Sequence, residues 1–463
     1  MNNPAVTLSK IERRKQGKAL REKCPRSSQA DWKPRSKSQD IIKLLEESDA
    51  DRIPGLIPIR YQRMAESPFK FFRGAAIVQA RDLANARVSG IAVQACGDCH
   101  LMNFGGFASP ERKLIFDIND FDETFPGPWE WDMKRLAASL MLAARDHSYS
   151  KAVADDAVRA GAASYRERMS EFAESKVLDT WYAQVDIDAL KDHFRKDPDI
   201  SARLLKGQKQ SRSQTSETVI PKLTEVVGGR RKIKDNPPVL FHYQQNVRNI
   251  EKSKQDHLAR YRESLQADRQ ELFGRYRYQD SAVKVVGVGS VGTRCYVSLF
   301  LADEDDSLFL QVKEARRSVL ELPRGKSQFA HQGFRVVAGQ RLMQAATDIF
   351  LGWFRSAQGH DYYVRQFRDM KISAEIETFR PSTLVAYATM CGWALARAHA
   401  KAGDAAMIAG YIGSSERFDK VLVQYARAYA DQAERDFATF QSAIRSGRLS
   451  TESAKGAGLK FLL

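Results

Sequence analysis

Gly287-Val288-Gly289-Ser290-Val291-Gly292-Thr293-Arg294 decides the fold, because two unrelated architectures share this spacing of glycines. In a dinucleotide-binding unit, G-x-G-x-x-G leaves a strand and opens a helix. Here residues 294–301 alternate like a strand and residues 302–307 form an acidic turn. The chain then returns through Phe309-Leu310-Gln311-Val312-Lys313-Glu314-Ala315. With the β-branched run 282–286 ahead of the glycines, the simplest reading is a three-stranded antiparallel unit. The glycines then sit in a hairpin, and Lys313 lies on the third strand.

Outward from this unit the periodicity becomes helical. Apolar positions recur at helical spacing over 334–350, 383–401 and 418–445, with a strand at 362–367 between them. On the N-terminal side, helices are expected at 38–47, through 61–85 with breaks at Pro68 and Gly74, and at 131–144 and 151–176. A short strand is expected at 113–118, and 238–243 is a short run outside the helices that otherwise dominate through about residue 270. No internal repeat is visible. The expected class is α+β, with a basic flexible tail at 1–40 and a helical lobe at 41–280. A small antiparallel β lobe follows at 281–370, helices at 371–445 complete the larger lobe, and the C-terminus at 446–463 is loosely held.

The 463 residues, 43% hydrophobic and 28% charged, exclude a disordered or collagen-like chain and suffice for about two to three structural units. No window approaches the roughly 18 uninterrupted apolar residues of a membrane helix, and the basic start has no apolar signal core. A cytoplasmic protein with no membrane partner is expected. Five scattered cysteines do not make a disulfide framework, so reduced thiols are expected. The net charge is +16, of which residues 1–40 hold +7, and a second basic stretch at 205–234 reads as a mobile loop. Neither stretch interleaves the aromatics of a single-strand platform, so both read as solvated surface. Only the tail leaves room for a nucleic-acid partner.

Residues that could carry chemistry concentrate in Gly97-Asp98-Cys99-His100-Leu101-Met102-Asn103-Phe104-Gly105. After a strand come Phe116-Asp117-Ile118-Asn119-Asp120-Phe121-Asp122-Glu123. The pattern resembles the catalytic segment of aminoglycoside and choline phosphotransferases and, more distantly, of protein kinases. There a Gly-Asp-x-His-x-x-Asn loop precedes a hydrophobic strand and an Asp-Phe-acid triplet. The resemblance implies Asp98 as the base that orients an acceptor hydroxyl, Asn103 as a metal ligand and Asp120 as the main metal carboxylate. Asp122 would support a second metal or fix the loop. The glycine hairpin and Lys313 likewise resemble the phosphate-covering loop and phosphate-pairing lysine of the kinase small lobe. They imply a nucleotide cradle at Gly287, Gly289, Ser290, Gly292 and Lys313, with ATP and Mg²⁺ as cofactors.

In kinase-like families the glycine loop and lysine precede the catalytic loop, whereas here they follow it. The alternatives are a circular permutation or two unrelated motif matches. The run Ala394-Leu395-Ala396-Arg397-Ala398-His399-Ala400 favours permutation, because its helix resembles the one that immediately precedes the catalytic loop in those phosphotransferases. Together with Arg60-Tyr61-Gln62-Arg63-Met64 and Ser67-Pro68-Phe69, the whole set resembles the bacterial DUF2252 family over most of residues 50–440. That family implies a kinase-like grouping and names no substrate. A kinase-like lysine normally pairs with a glutamate on the following helix, yet 334–347 contains none and offers Gln340 and Gln344.

The resemblance therefore implies a circularly permuted, kinase-like, two-lobed fold. It implies an ATP- and Mg²⁺-dependent phosphotransferase acting on an unknown hydroxylated acceptor, by first choice a small molecule. Transfer of AMP to a protein is an alternative on the same fold. A non-catalytic pseudoenzyme that binds nucleotide or nucleic acid is the rival class, and it would explain the missing glutamate. Cys96-Gly97-Asp98-Cys99-His100 spells the haem-attachment pattern C-x-x-C-H, but haem attachment normally needs export, and a zinc site there would lack a fourth ligand. Asp132 is expected to be structural, capping the next helix, and His399 and Cys391 to be core residues.

Overall fold

The computed structural model describes residues 8–32, 35, 40–212, 216–242, 250–304, 306–367 and 370–451. In chain order the strands are β1 (Ala92–Ala95), β2 (Phe104–Ala108), β3 (Leu114–Ile118), β4 (Phe125–Pro128), β5 (Thr224–Val227), β6 (Arg230–Ile233), β7 (Leu240–Phe241), β8 (Arg277–Lys284), β9 (Cys295–Leu301), β10 (Ser307–Glu314), β11 (Gly352–Arg355), β12 (Asp361–Gln366) and β13 (Ile372–Ser373). Long helices supply most of the rest, so the protein is mixed α+β with small antiparallel sheets.

The strands expected around the glycines pair antiparallel as β8, β9 and β10, inside a six-stranded sheet of order β11-β12-β10-β9-β8-β7. Strand alternation sorts their side chains. Leu308 and Leu310 pack outward against Tyr261, Leu265 and Phe273, while Phe309 packs inward with Val297 and Leu299. Gln311 and Lys313 therefore share the inner face with Phe309. The sheet starts before residue 281, since β7 and β8 begin at Leu240 and Arg277.

The second body is helical. Helices Trp129–Asp146, Lys151–Glu174, Pro381–Ala402 and Arg417–Arg445 pack together around one large core. The last buries Phe418, Leu422, Tyr425, Tyr429 and Ala433, an i, i+4 stripe along one face. Two small sheets, β1-β4 and β13-β2-β3, lie at its edge and carry the Asp98 loop and the acidic turn. Among the described residues no helix is long and apolar enough to cross a membrane.

Three further expectations are corrected. Residues 10–19, within the stretch expected as a flexible tail, form a helix with a Ser9–Glu12 capping box. Arg13 pairs with Asp404 at 3.0 Å, and Arg21 donates to the carbonyls of Tyr411 and Gly410, so the basic side chains anchor the helix rather than solvate it. The stretch 205–234, expected as a mobile loop, is helical in Pro198–Arg212 and Ser216–Leu223 and continues as the β5–β6 hairpin. Ile220 and Ile233 pack there on the inner face of the large sheet. The helix expected over 334–350 ends at Met343, because the Asp117 carboxylate takes the Ala345 amide and draws the chain toward β3. Tyr243 and residues 452–463 of the terminal stretch lie outside the described residues.

Candidate active site

The Asp98 loop is held from below. Asp132 on the Trp129–Asp146 helix accepts the amides of Cys96 and Gly97 at 2.6 and 3.0 Å, and it is held in turn by His399 Nε2 at 3.1 Å. Asp132 is thus structural, as expected, but it acts through loop amides and does not cap its helix, whose first residue follows Pro128. His399 is fully buried between Asp132 and the Tyr165 hydroxyl. Gly97 has φ 89°, and a Cβ there would lie 2.2 Å from the Glu123 carbonyl oxygen, so only glycine lets the loop approach the acidic turn.

Asp98 accepts a 2.7 Å bond from Arg135 Nε, and Arg135 is fixed by Gln79 and the Phe72 carbonyl. Asn103 Nδ2 donates to the Asp98 carbonyl at 2.7 Å, which commits its amide nitrogen to the loop and leaves its oxygen to the cleft. The register Phe104↔Ile118, extended by the Asn119 amide on the Asn103 carbonyl at 2.9 Å, sets Asn103 beside Asn119-Asp120.

Lys313 reaches this turn from the sheet. Its neighbours across the ladder are Cys295 and Tyr363. Its ammonium lies 2.7 Å from Asp122 Oδ2 and 3.8 Å from Asp120 Oδ1. Tyr363 Oη donates to the other Asp122 oxygen at 2.6 Å, and Ser290 of the glycine hairpin donates to Asp122 Oδ2 at 3.3 Å. Burial works to lower the Lys313 pKa, but the charges of Asp120 and Asp122 outweigh it and hold the ammonium well above its ordinary value. Burial would raise Asp122, yet the charge and hydrogen bond of Lys313 lower it. Asp120 moves up, because burial and the Asp122 charge outweigh Lys313 and Arg365.

The partner of Lys313 is therefore this aspartate pair. The Gln332–Met343 helix contributes Arg335, which donates to the carbonyls of Thr124, Asp122 and Arg316 and fixes the backbone of the acidic turn. Gln344 Nε2 donates to the Ile118 carbonyl at 2.7 Å.

The glycine hairpin is clamped by the chain's early residues. Buried Arg52 donates to the carbonyls of Val291 at 2.5 Å and Gly289 at 2.9 Å, and Arg63 donates to that of Val286 at 2.6 Å. The Ile53 amide meets the Gly292 carbonyl at 2.8 Å. Arg52 is oriented by Asp49, which also binds Arg60 and Tyr61.

A cleft of about 1160 Å³ opens between these elements. Asp98, Asn103, Asp120, Asp122, Gly287, Gly289, Ser290 and Lys313 all line it. Gly292 does not. It turns at φ 89° against the Arg52 side chain. Sequence reasoning quoted Glu123 beside the aspartates without giving it a role, and it missed Arg73, Tyr363, Arg365 and Lys371 at or beside this cleft. Tyr363 was findable as the strand neighbour of a charged inner-face position, but the others carry no local signal. Burial pushes Glu123 up to about 7, against the hydrogen bond from the Val319 amide. Burial, with the Arg365 and Lys313 charges, lowers Lys371 to about 8.

Two donors suit a hard cation. Asp120 is a carboxylate that an added positive charge would relieve, and Asn103 offers an amide oxygen. Asp122 is already engaged by Lys313, Tyr363 and Ser290. Among the described residues no three or more His, Cys, Asp or Glu form an all-protein metal cage. Cys96 and Cys99 are buried free thiols, and Cys96 Sγ donates to the Asp120 carbonyl at 3.4 Å, so they pack the loop from beneath.

The family model described as "Uncharacterized protein conserved in bacteria (DUF2252)" matches residues 52–443. No curated protein and no solved structure matches the chain.

Proposed function

The chain belongs to the DUF2252 family, and from that premise we propose that it is an ATP- and Mg²⁺-dependent phosphotransferase with a permuted kinase-like fold, acting on a hydroxylated small molecule. One observation carries the proposal. Lys313 and Asp122 are 191 positions apart and in the reverse of kinase order, yet they form a 2.7 Å ion pair in a cleft shared with the glycine hairpin, Asp98 and Asn103. Two unrelated motif matches would have no reason to meet.

The arrangement of elements supports the same reading. The lysine strand β10 follows the glycine hairpin β8–β9, and the Gln332–Met343 helix follows the lysine strand, as the lysine strand precedes the helix in kinases. The Pro381–Ala402 helix ends against the strand that enters the Asp98 loop. A Cβ at Gly403 would lie 2.5 Å from Val93 Cγ1.

In the proposed reaction Lys313 neutralises phosphate oxygens, and the glycine hairpin covers them with backbone amides. The acceptor hydroxyl gives its proton to the Asp98 carboxylate while its oxygen bonds to the terminal phosphorus. The bond from that phosphorus to the leaving ADP oxygen breaks. Asp120 and Asn103 would hold Mg²⁺, which would offset charge on the phosphates, and Asp122 keeps Lys313 in place. Arg135 fixes the Asp98 rotamer.

The test is thermal stabilisation by ATP, with and without Mg²⁺, in the wild type and in Lys313→Ala and Asp120→Asn. Ligand at about a hundred times its dissociation constant adds roughly 2.7 kcal/mol. The shift should need Mg²⁺ and disappear in both variants. No shift in the wild type overturns the nucleotide reading. Incorporation of the α-phosphate into protein, in place of ADP release, would replace phosphoryl transfer with AMP transfer.

A further inference from the structure

We propose that Arg73 is an anion-binding residue at the Asp98 end of the cleft, taking a phosphoryl oxygen either from the nucleotide's terminal phosphate or from an acceptor that itself carries a phosphate. This rests on the phosphotransferase reading and names a group that the motifs do not contain.

Arg73 lies in the last turn of the Pro68–Gly74 helix and lines the cleft with Asp98, His100 and Gly289. The other arginines placed around the site have named work. Arg52 and Arg63 hold the glycine hairpin, Arg135 holds Asp98, Arg335 holds the acidic turn, and Arg365 bonds Gln311 and the Asn119 carbonyl. Among the described residues the Arg73 guanidinium has no hydrogen-bond or ion-pair partner, and its Nε is buried without one. Its one contact of note is the Phe69 ring, 5.6 Å from Cζ.

A half-buried guanidinium without a partner is costly unless something binds it. Burial opposes its charge, Asp98 and Glu377 favour it, and Arg135 opposes it again. Neither carboxylate is the missing partner: Asp98 is bonded by Arg135 at Oδ1 and makes no hydrogen bond or ion pair with Arg73, and Glu377 is exposed and makes none either. His100 adds a second signal. It is 5% exposed, its Nδ1 has no partner, and burial with the Arg73 and Arg135 charges holds it well below its ordinary pKa, so it is neutral.

Position fixes the ligand class. The tip of the glycine hairpin approaches the Arg73 backbone, a Cβ at Gly289 falling 3.4 Å from its carbonyl oxygen, and Asp98, the carboxylate whose charge most favours the Arg73 guanidinium, lines the same cleft. A planar fork of donors in the cleft that also holds the glycine hairpin and Asp98 matches a phosphoryl oxygen better than a neutral hydroxyl. The same feature disfavours a cationic acceptor of the aminoglycoside or choline kind, whose charge would face an unpaired arginine.

The experiment uses the full chain with Arg73→Gln and Arg73→Lys. Calorimetry gives dissociation constants for Mg·ATP and Mg·ADP, and for inorganic phosphate added to protein saturated with Mg²⁺ and a non-hydrolysable ATP analogue. Losing a charge-assisted bond should weaken the responsible ligand roughly 10- to 100-fold. If the source is the terminal phosphate, Arg73→Gln weakens Mg·ATP and leaves Mg·ADP within about twofold. If the source is the acceptor, nucleotide affinities hold and phosphate binding to the analogue-loaded protein is lost. In both cases Arg73→Lys recovers part of the loss, and the unliganded Arg73→Gln protein melts close to wild type, because no hydrogen bond or ion pair is broken and only the Phe69 ring contact is lost. Unchanged affinity for all three ligands overturns the proposal. Should the wild type bind no nucleotide, the phosphotransferase reading fails by itself. Phosphate titrated into the unliganded protein then decides for Arg73, and absence of phosphate binding overturns it.

Discussion

Arg52→Met tests whether the clamp on the glycine hairpin matters for function. Arg52 is 8% exposed and donates to the Val291 and Gly289 carbonyls at 2.5 and 2.9 Å. Hydrogen bonds to charged groups are worth about 1.5–3 kcal/mol each, so the gross loss is roughly 3–6 kcal/mol. Part of it returns, because burial and the neighbouring Arg60 and Arg316 charges make Arg52 expensive to hold charged. Asp49 keeps Arg60 and Tyr61, and the Ile53 amide still meets the Gly292 carbonyl, so the damage stays local. A net local loss of about 3 kcal/mol should open the hairpin roughly a hundredfold more often. Hydrogen exchange across residues 286–293 should accelerate by that factor, while the core of the Lys151–Glu174 helix keeps its protection. If those amides cover phosphates, the nucleotide must re-order them, and Mg·ATP affinity should fall by up to the same factor. Unchanged exchange refutes the clamp. Faster exchange with unchanged affinity refutes the hairpin as a nucleotide element.

Gly97→Ala meets both a left-handed backbone at φ 89° and the Glu123 carbonyl at 2.2 Å, so it should cost at least about 1–3 kcal/mol in urea unfolding. It should also reduce turnover of any accepted substrate beyond that loss of folded protein. A stability equal to wild type would remove the close approach of the Asp98 loop to the acidic turn. Asp117→Ala strips Arg397 of its only carboxylate among the described residues, both groups being 1% exposed, and should cost about 3–5 kcal/mol. Asp117→Leu with Arg397→Met should recover most of it, and a double variant as weak as the single one speaks against the pair. His242, held by Asp280 first and then Asp235, has its pKa raised above 6.5. It therefore binds its proton more tightly folded than unfolded. Its stabilisation is complete below about pH 6.5 and fades as pH rises through the raised value. Urea midpoints of wild type minus His242→Gln should shrink across that interval, and a difference that grows with pH contradicts the assignment.

Local pattern made much of the fold legible. Alternation gave β8, β9, β10 and β12, and helical spacing gave the long helices, because those elements bury one face each. Two signals were outvoted. Ser9-x-x-Glu12 is a capping box, but the charge of the first forty residues argued for solvent, and the arginines that look like tail charge turn out to bind helix-end carbonyls. Residues 205–234 read as loop from Ser, Gln and Gly content, while burial of Ile220 and Ile233 against the sheet sets their structure. Each half of the candidate site was legible as a motif, but their meeting was expected only through the family resemblance and the permutation it implied, since no local rule relates residues 98–122 to residue 313. That Asp122 is the partner of Lys313 was hidden for the same reason. Its role depends on the Lys313–Tyr363 ladder position and the Ser290 hydroxyl together. Arg73 is the opposite case, a residue whose lack of a partner becomes visible only when every neighbour is known.

The proposed permutation predicts a crosslink. In kinase order the helix equivalent to Pro381–Ala402 runs directly into the catalytic loop, whereas here the chain continues into helices Ala405–Ile412 and Arg417–Arg445. If the arrangement in space is kept, the end of the first helix must still lie at the strand that enters the Asp98 loop. A Cβ built at Gly403 lies 3.3 Å from Val93 Cβ, close to the roughly 3.5–4.5 Å of a disulfide. Gly403 has φ −157°, extended backbone that any residue adopts. Val93→Cys with Gly403→Cys should therefore oxidise spontaneously, whereas the five native cysteines are buried and unpaired. The bond would close a loop of some three hundred residues, worth about 5–6 kcal/mol on chain entropy alone and less after any strain. The oxidised protein should melt higher than its reduced form and bind Mg·ATP as the wild type does, because the bridge restores a kinase-order connection beneath the loop. Failure to form the bond under mild oxidant, or a bond that lowers the melting temperature, would mean that the helix end does not support the loop. The permuted reading would then lose its geometric basis.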